Sequence, residues 1–397
     1  MYRVRFCLPL IVMFAAFHGG VAEAQQIYFK GEYLLWDRSN GADATILSGA
    51  GGVSADDASF GYASGYQFTL GGSSDVFSIE ASFLQIPNWT DSWSGTLALP
   101  LAFDDPTNAV VFPGGANGLG FSSALSTAAM TPGLEDDEIE YIEAGATFQS
   151  RYESTFDSFE LNLGSSRTSR PVFFALGWRH MELDETAATL LRGDFQAADA
   201  GDGDLPGAGS VEGNDGLSDA ALTAAGFVNI SGPDGFMGYD PTAIPPVITT
   251  IGVSYEGTAY NDLDGVQLTV GGVYAASEFV SLRGTLRGGV YQNDSQASIR
   301  ESIFGIVNDT SVYQRTFRDG RKSASFAGGL GLDVVIAVTD YVNFTLGYQG
   351  LFVTNMALAA DQSKGITTDL FGNTRYNIVN DALFVAHGSN VGLELLW

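Results

Sequence analysis

The chain is most constrained by a segment of about ten residues in which apolar side chains alternate with polar or small ones, repeated along its length between Gly, Asn, Asp and Ser. In an extended strand this period turns one face to oil and the other to water. At 27–36, Ile27, Phe29, Tyr33 and Leu35 share one face, and Lys30 and Glu32 the other. The pattern then recurs in pairs: 66–70 with 77–83, 156–163 with 172–183, 266–274 with 280–291, and 325–336 with 342–352. A last segment from about residue 383 runs to Trp397, placing Trp397, Leu395, Leu393 and Val391 on one face. With a weaker candidate at 139–148, the count predicts an all-β chain, an antiparallel transmembrane β-barrel of about 10–12 strands.

The connections sort by length. Short turns fall at 71–74, 275–278 and 338–341, and long loops near 37–58, 88–137, 185–256, 293–322 and 355–381. Short turns on one rim and long loops on the other are the asymmetry of outer-membrane barrels. A soluble sandwich, the rival reading of the last segment, has no reason to sort its loops this way. The 185–256 connection is rich in Ala, Gly and Asp. A disordered surface loop, a small lid and a segment folded back into the lumen all fit it.

The ends agree with export. Arg3 and Arg5 precede an apolar run over 6–17, and Ala22-Glu23-Ala24 offers the small residues of a cleavage site. Residues 1–24 therefore read as a secretory signal, and 25–397 as a single barrel. Cys7 lies inside the signal, so the processed chain would hold no cysteine and no disulfide. No apolar run after it reaches the roughly 18 residues of a helical span. The 50 glycines and 48 aromatic residues, with only 16% charged, suit curved strands and aromatic girdles better than an α/β enzyme. A net charge of −28 repels nucleic acid, excludes it as a partner, and keeps exposed loops soluble.

If the apolar faces point to lipid, the opposite faces define a lumen. Its expected lining is Lys30, Glu32, Glu80, Glu160, Arg179, Arg283, Arg287, Asp333 and Glu394, with Asn162, Gln267, Thr269, Thr285, Asn343, Thr345 and Gln349 among them. These charges either pair across a narrow interior and plug it, or wall a constricted aqueous channel.

Several segments resemble one family, the outer-membrane β-barrel proteins of planctomycetes related to the Legionella major outer membrane protein group. The resemblance is carried by Tyr33-Leu34-Leu35-Trp36 and by the stretch from Gly177 and Trp178 to Leu183-Asp184-Glu185. It continues through Asn261-Asp262-Leu263-Asp264-Gly265-Val266-Gln267-Leu268 and Gly347-Tyr348 with Asn355. Where the family often shows Arg-Pro-Gly, this chain has Leu358-Ala359-Ala360 before Asp361-Gln362. The resemblance implies an outer-membrane barrel and leaves its solute open.

Catalytic chemistry finds little support. His387 and Ser389 share the lipid-directed face of the last strand, and no nucleophile elbow, phosphate loop or metal-spaced Cys/His cluster occurs. Catalytic, cofactor and metal residues are thus expected to be none. The one reservation is calcium bridging of acidic loops such as Asp202-Gly203-Asp204 and Asn214-Asp215-Gly216. The sequence favours a porin-like, non-enzymatic channel for small polar solutes in the bacterial outer membrane. The alternative is a non-conducting structural or adhesive surface protein anchored by its barrel. Expected partners are outer-membrane lipid, small polar solutes, and the insertion machinery that reads the C-terminal strand ending at Trp397.

Overall fold

The computed structural model describes residues 26–39, 41–42, 45–47, 53–54, 57–97, 101–102, 138–142, 144–166, 171–199, 227–230, 249–305, 312–368 and 374–397. The expected signal segment and both acidic calcium-like stretches lie outside the described residues.

Ten long strands form the wall: β1 (Gln26–Ser39), β2 (Ala63–Ser73), β3 (Phe77–Thr96), β4 (Thr147–Ser165), β5 (Val172–Asp199), β6 (Thr249–Ala275), β7 (Val280–Gly305), β8 (Val312–Thr339), β9 (Val342–Met356) and β10 (Ala382–Leu396). Each pairs antiparallel with the next, and β10 returns to β1 with Tyr28 opposite Leu396 and Ser39 opposite Val385. The seam is knotted at its foot, where Ile27 and Trp397 exchange backbone hydrogen bonds of 3.1 and 2.9 Å. Closure leaves the ten-strand wall without a free edge among the described residues, which is what hydrocarbon demands of a strand-built span. The protein is an antiparallel ten-stranded barrel. The segment expected as a further strand at 139–148 breaks at Gly145, whose φ of +95° suits only glycine. Its first part is a short strand, Glu138–Ile142, against the far end of β5, and its second part opens β4.

The wall changes character halfway up. Toward the short turns, the outward face of β6 carries Val266, Leu268 and Tyr274, and the inward face Gln267 and Thr269. Toward the long connections the polarity inverts. Ser254, Glu256 and Thr258 now face out, while Ile251, Val253, Tyr255 and Leu263 are buried inside. β5 does the same, passing from exposed Phe174, Leu176 and Trp178 to outward Glu182 and Asp184 over buried Met181 and Leu183. The lower part is a membrane barrel, apolar outside and polar within; the upper part is built like a soluble barrel, with a hydrophobic core. Exposed Tyr274, Phe279, Tyr341 and Trp397 ring the foot of the belt, where aromatic side chains meet a lipid–water boundary.

This inversion corrects the loop boundaries. The segments expected as loops near 88–137, 185–256 and 293–322 begin or end inside strands: β3 runs to Thr96, β5 to Asp199, β6 starts at Thr249, and β7 and β8 cover all described residues of 293–322. Outward residues among them, such as Thr186, Ser254, Asp294 and Ser298, face water from a sheet rather than marking loops. Within 37–58, Thr45–Leu47 and Val53–Ser54 form a small hairpin.

The two halves respond differently to charge. Leu268→Arg is expected to cost about 2–4 kcal/mol, as for a cation facing the middle of the bilayer. Ser254→Arg, on the same face above the belt, is expected to stay within about 0.5 kcal/mol of the native protein. Urea titration of both variants refolded in vesicles measures the contrast, and equal costs would remove the assignment of the belt.

Candidate functional site

Within the membrane-level lumen, period-two alternation sends one polar side chain inward every second residue, and register brings them opposite one another. The nine charged residues expected there lie on the inward face and gather into small groups. Lys30 bridges Glu32 at 2.8 Å and Asp333 at 3.2 Å, and Asn390 donates to the same two carboxylates at 2.6 and 3.1 Å. Glu160 sits between Arg179 at 3.2 Å and Arg287 at 3.5 Å, and accepts from Gln267 at 3.1 Å. Glu394 meets Arg283 at 3.4 Å and accepts from Asn343 at 2.9 Å. Glu80 accepts a hydrogen bond from the Tyr28 hydroxyl. The space left among these groups is a cavity of about 70 Å³, room for a few waters. Both signs are matched at contact distance, so the interior is filled rather than merely lined.

A second closure lies above. β9 ends at Asn355, whose φ of 55° is the left-handed conformation that asparagine tolerates best among side chains bearing a Cβ. That turn sends the chain inward instead of out toward solvent. Ala357, Leu358, Ala359 and Ala360 are almost wholly buried inside the barrel, and a 3₁₀ helix, Ala359–Gly365, continues the plug. The expectation of a long external loop at 355–381 is corrected here: much of it is an internal plug. It is small and apolar enough to enter a core that already holds Trp36, Trp89, Phe156, Tyr255 and Phe384.

Polar side chains on the wall dock the plug backbone. Asn261 donates to Ala357 O at 2.8 Å and accepts from Ala357 N–H at 2.9 Å, pairing with it as another strand would. Asn293 donates to Asn355 O at 2.9 Å, and Gln362 donates to Leu358 O and Val379 O, both at 2.8 Å. Glu185 accepts the Ala359 N–H at 3.0 Å. The same carboxylate pairs with Arg38 at 2.5 Å and accepts from Tyr152 at 2.7 Å, both side chains of the ion pair being fully buried. The Arg38 guanidinium lies over the rings of Phe60, Phe384 and Tyr152 at 4.6, 5.2 and 5.4 Å. Burial and the adjacent Glu185 carboxylate push the Tyr152 hydroxyl well above its ordinary range, so it stays a donor.

Sequence reasoning missed this latch. Arg38 and Glu185 fall where loops were expected, and only their positions in the inward phase of the alternation signalled them. On the outer wall, His387 Nδ1 lies 2.8 Å from the Tyr348 hydroxyl, and the two rings stack.

No known family model matches the chain, and no curated protein matches it. Among solved structures it is similar to the outer membrane protease OmpT from Escherichia coli, at a TM-score of 0.37 and 12% identity over 96% of this chain and 99% of that one. It is also similar to a Pseudomonas aeruginosa FadL homologue, at a TM-score of 0.23 and 11% identity over 94% and 90% of the two chains. The Ralstonia pickettii toluene transporter TbuX gives 0.20 and 8% identity over 95% and 90%. At such scores the architecture rests on the strand pairing itself. That pairing and the apolar belt define the class, a transmembrane β-barrel of the kind built into bacterial outer membranes.

Proposed function

We propose that this protein is a plugged outer-membrane barrel, an anchor that holds its long polar extension and connections at the cell surface and does not conduct in its resting state. The sequence favoured a channel for small polar solutes. What supports the rival is one observation: the lumen is filled twice, by matched ion pairs at membrane level and by the β9–β10 segment above them. Any solute path would have to break the Lys30, Glu160 and Glu394 groups and displace a plug docked by Asn261, Asn293 and Glu185. The −28 net charge then acts outside, keeping the exposed polar strands solvated and apart from other anionic surfaces.

Purified protein inserted into planar bilayers is expected to give no stepwise openings at any applied voltage. Regular single-channel steps from the native protein would restore the channel reading and remove this one.

A further inference from the structure

The strongest unassigned feature is on the outside of the wall, just above the apolar belt. There the register of four neighbouring strands lines up acidic residues in a row: Asp157 of β4 opposite Glu182 of β5, Glu182 opposite Asp262 of β6, and Asp262 opposite Asp294 of β7. Side chains directly opposite on one face of an antiparallel sheet stand only about 4.5–5.5 Å apart at Cβ, and like charges so placed destabilise it. Lys322 of β8 pairs with Asp294 at 3.1 Å and neutralises that end of the row. Beside the middle of the row, one step closer to the membrane, the partner of Glu182 and Asp262 is the His180 imidazole.

That imidazole is held as a metal-binding histidine is held. His180 lies opposite Asp264 in the sheet, and its Nδ1 faces Asp264 Oδ1 at 3.1 Å and Asp262 Oδ1 at 3.5 Å. Nε2 meets the Glu182 carboxylate at 3.0 Å. A carboxylate on the far ring nitrogen fixes the tautomer and turns the near nitrogen toward an ion, the usual support of a metal-ligating histidine. The donor atoms of His180, Asp262 and Asp264 all lie within 4.8 Å of one another. Asp262 Oδ1 is buried and accepts no hydrogen bond, while Asp264 remains exposed and leaves the site an open side. Trp178, on the next outward position of the same strand, stacks on the His180 ring with centroids 6.2 Å apart.

We infer that His180, Asp262 and Asp264 form a divalent metal site on the outer wall at the membrane boundary, with Glu182 as the positioning residue for His180. One imidazole nitrogen and two carboxylate oxygens make a donor set of the borderline class that zinc prefers. The ion would replace the missing countercharge of the row, and its open coordination positions face the headgroup level. This site is separate from the acidic loop stretches considered for calcium, and it does not depend on whether the lumen conducts. Sequence spacing concealed it, because His180 and the Asp262–Asp264 pair meet only through the β5–β6 register.

The test is zinc titration of the purified, chelator-stripped full chain in detergent, by calorimetry and by tryptophan fluorescence. One zinc ion per chain is expected, with saturable binding and a matching change in emission as the ion takes the ring beneath Trp178. His180→Ala and Asp262→Asn should abolish that step, and Glu182→Gln should weaken it by roughly tenfold to a hundredfold. Asp294→Asn, a member of the row outside the donor set, should leave the stoichiometry unchanged. Each variant is checked for the native barrel by its heat-dependent shift on a denaturing gel. Absence of saturable zinc binding, or binding that survives unchanged in folded His180→Ala, would overturn the assignment.

Discussion

Glu185→Ala is expected to lower stability by about 3–5 kcal/mol, the cost of leaving a buried ion without its partner. The carboxylate is the single acceptor on which three donors converge: Arg38, the Tyr152 hydroxyl and the Ala359 N–H of the plug. Its removal leaves a guanidinium with no exposed surface, caged by Phe60, Tyr152 and Phe384. The aromatic faces attract that cation, and the Tyr152 hydroxyl, 3.5 Å from Arg38 Nη2, is a weak substitute for a carboxylate. The paired change Arg38→Met with Glu185→Leu should recover most of the loss, since apolar residues of similar volume often replace a buried ion pair at little cost. Urea unfolding midpoints in detergent measure both variants. A single variant as stable as the native chain would show that the latch does not hold the plug.

Glu160→Ala carries the second large effect, of the same order of about 3–5 kcal/mol. Here one carboxylate neutralises two guanidiniums, Arg179 and Arg287, and accepts from the Gln267 amide. The symmetry is instructive. Arg287 is 24% exposed and Glu160 only 6%, so Arg287→Gln should cost clearly less than Glu160→Ala. Losing Arg287 still leaves Glu160 paired with Arg179, whereas losing Glu160 leaves two cations facing each other with no carboxylate between them. The same unfolding experiment ranks the pair, and the reverse order would mean that Glu160 is not the hub of this layer.

How much of this could be read from the chain follows from where its physics is local. The closing strand, the hairpin around 275–280 and the charged inward faces follow from period-two alternation with apolar residues toward lipid, a rule local to a few residues. Above the belt the same period continues with the opposite polarity. Val253, Tyr255, Ala259 and Leu263 still alternate with polar neighbours, but they point inward. Reading Ser254 and Glu256 as loop residues therefore shortened β6, although the alternation itself never stopped. The plug was hidden for a different reason. Leu358, Ala359 and Ala360 become buried because Asn261, Asn293 and Glu185, far away in sequence, satisfy the backbone around them. Among the residues quoted for the family resemblance, Glu185, Asn261 and Asn355 meet at the plug.

The plug has a consequence for the order of biogenesis. Met356 to Gly365 precede β10 along the chain, and β10 forms the seam with β1. The segment is tethered at both ends to neighbouring strands, β9 before it and β10 after it. Synthesis therefore delivers the plug before the strand that closes the wall, and its contacts with Asn261, Asn293 and Glu185 are available before β10 meets β1.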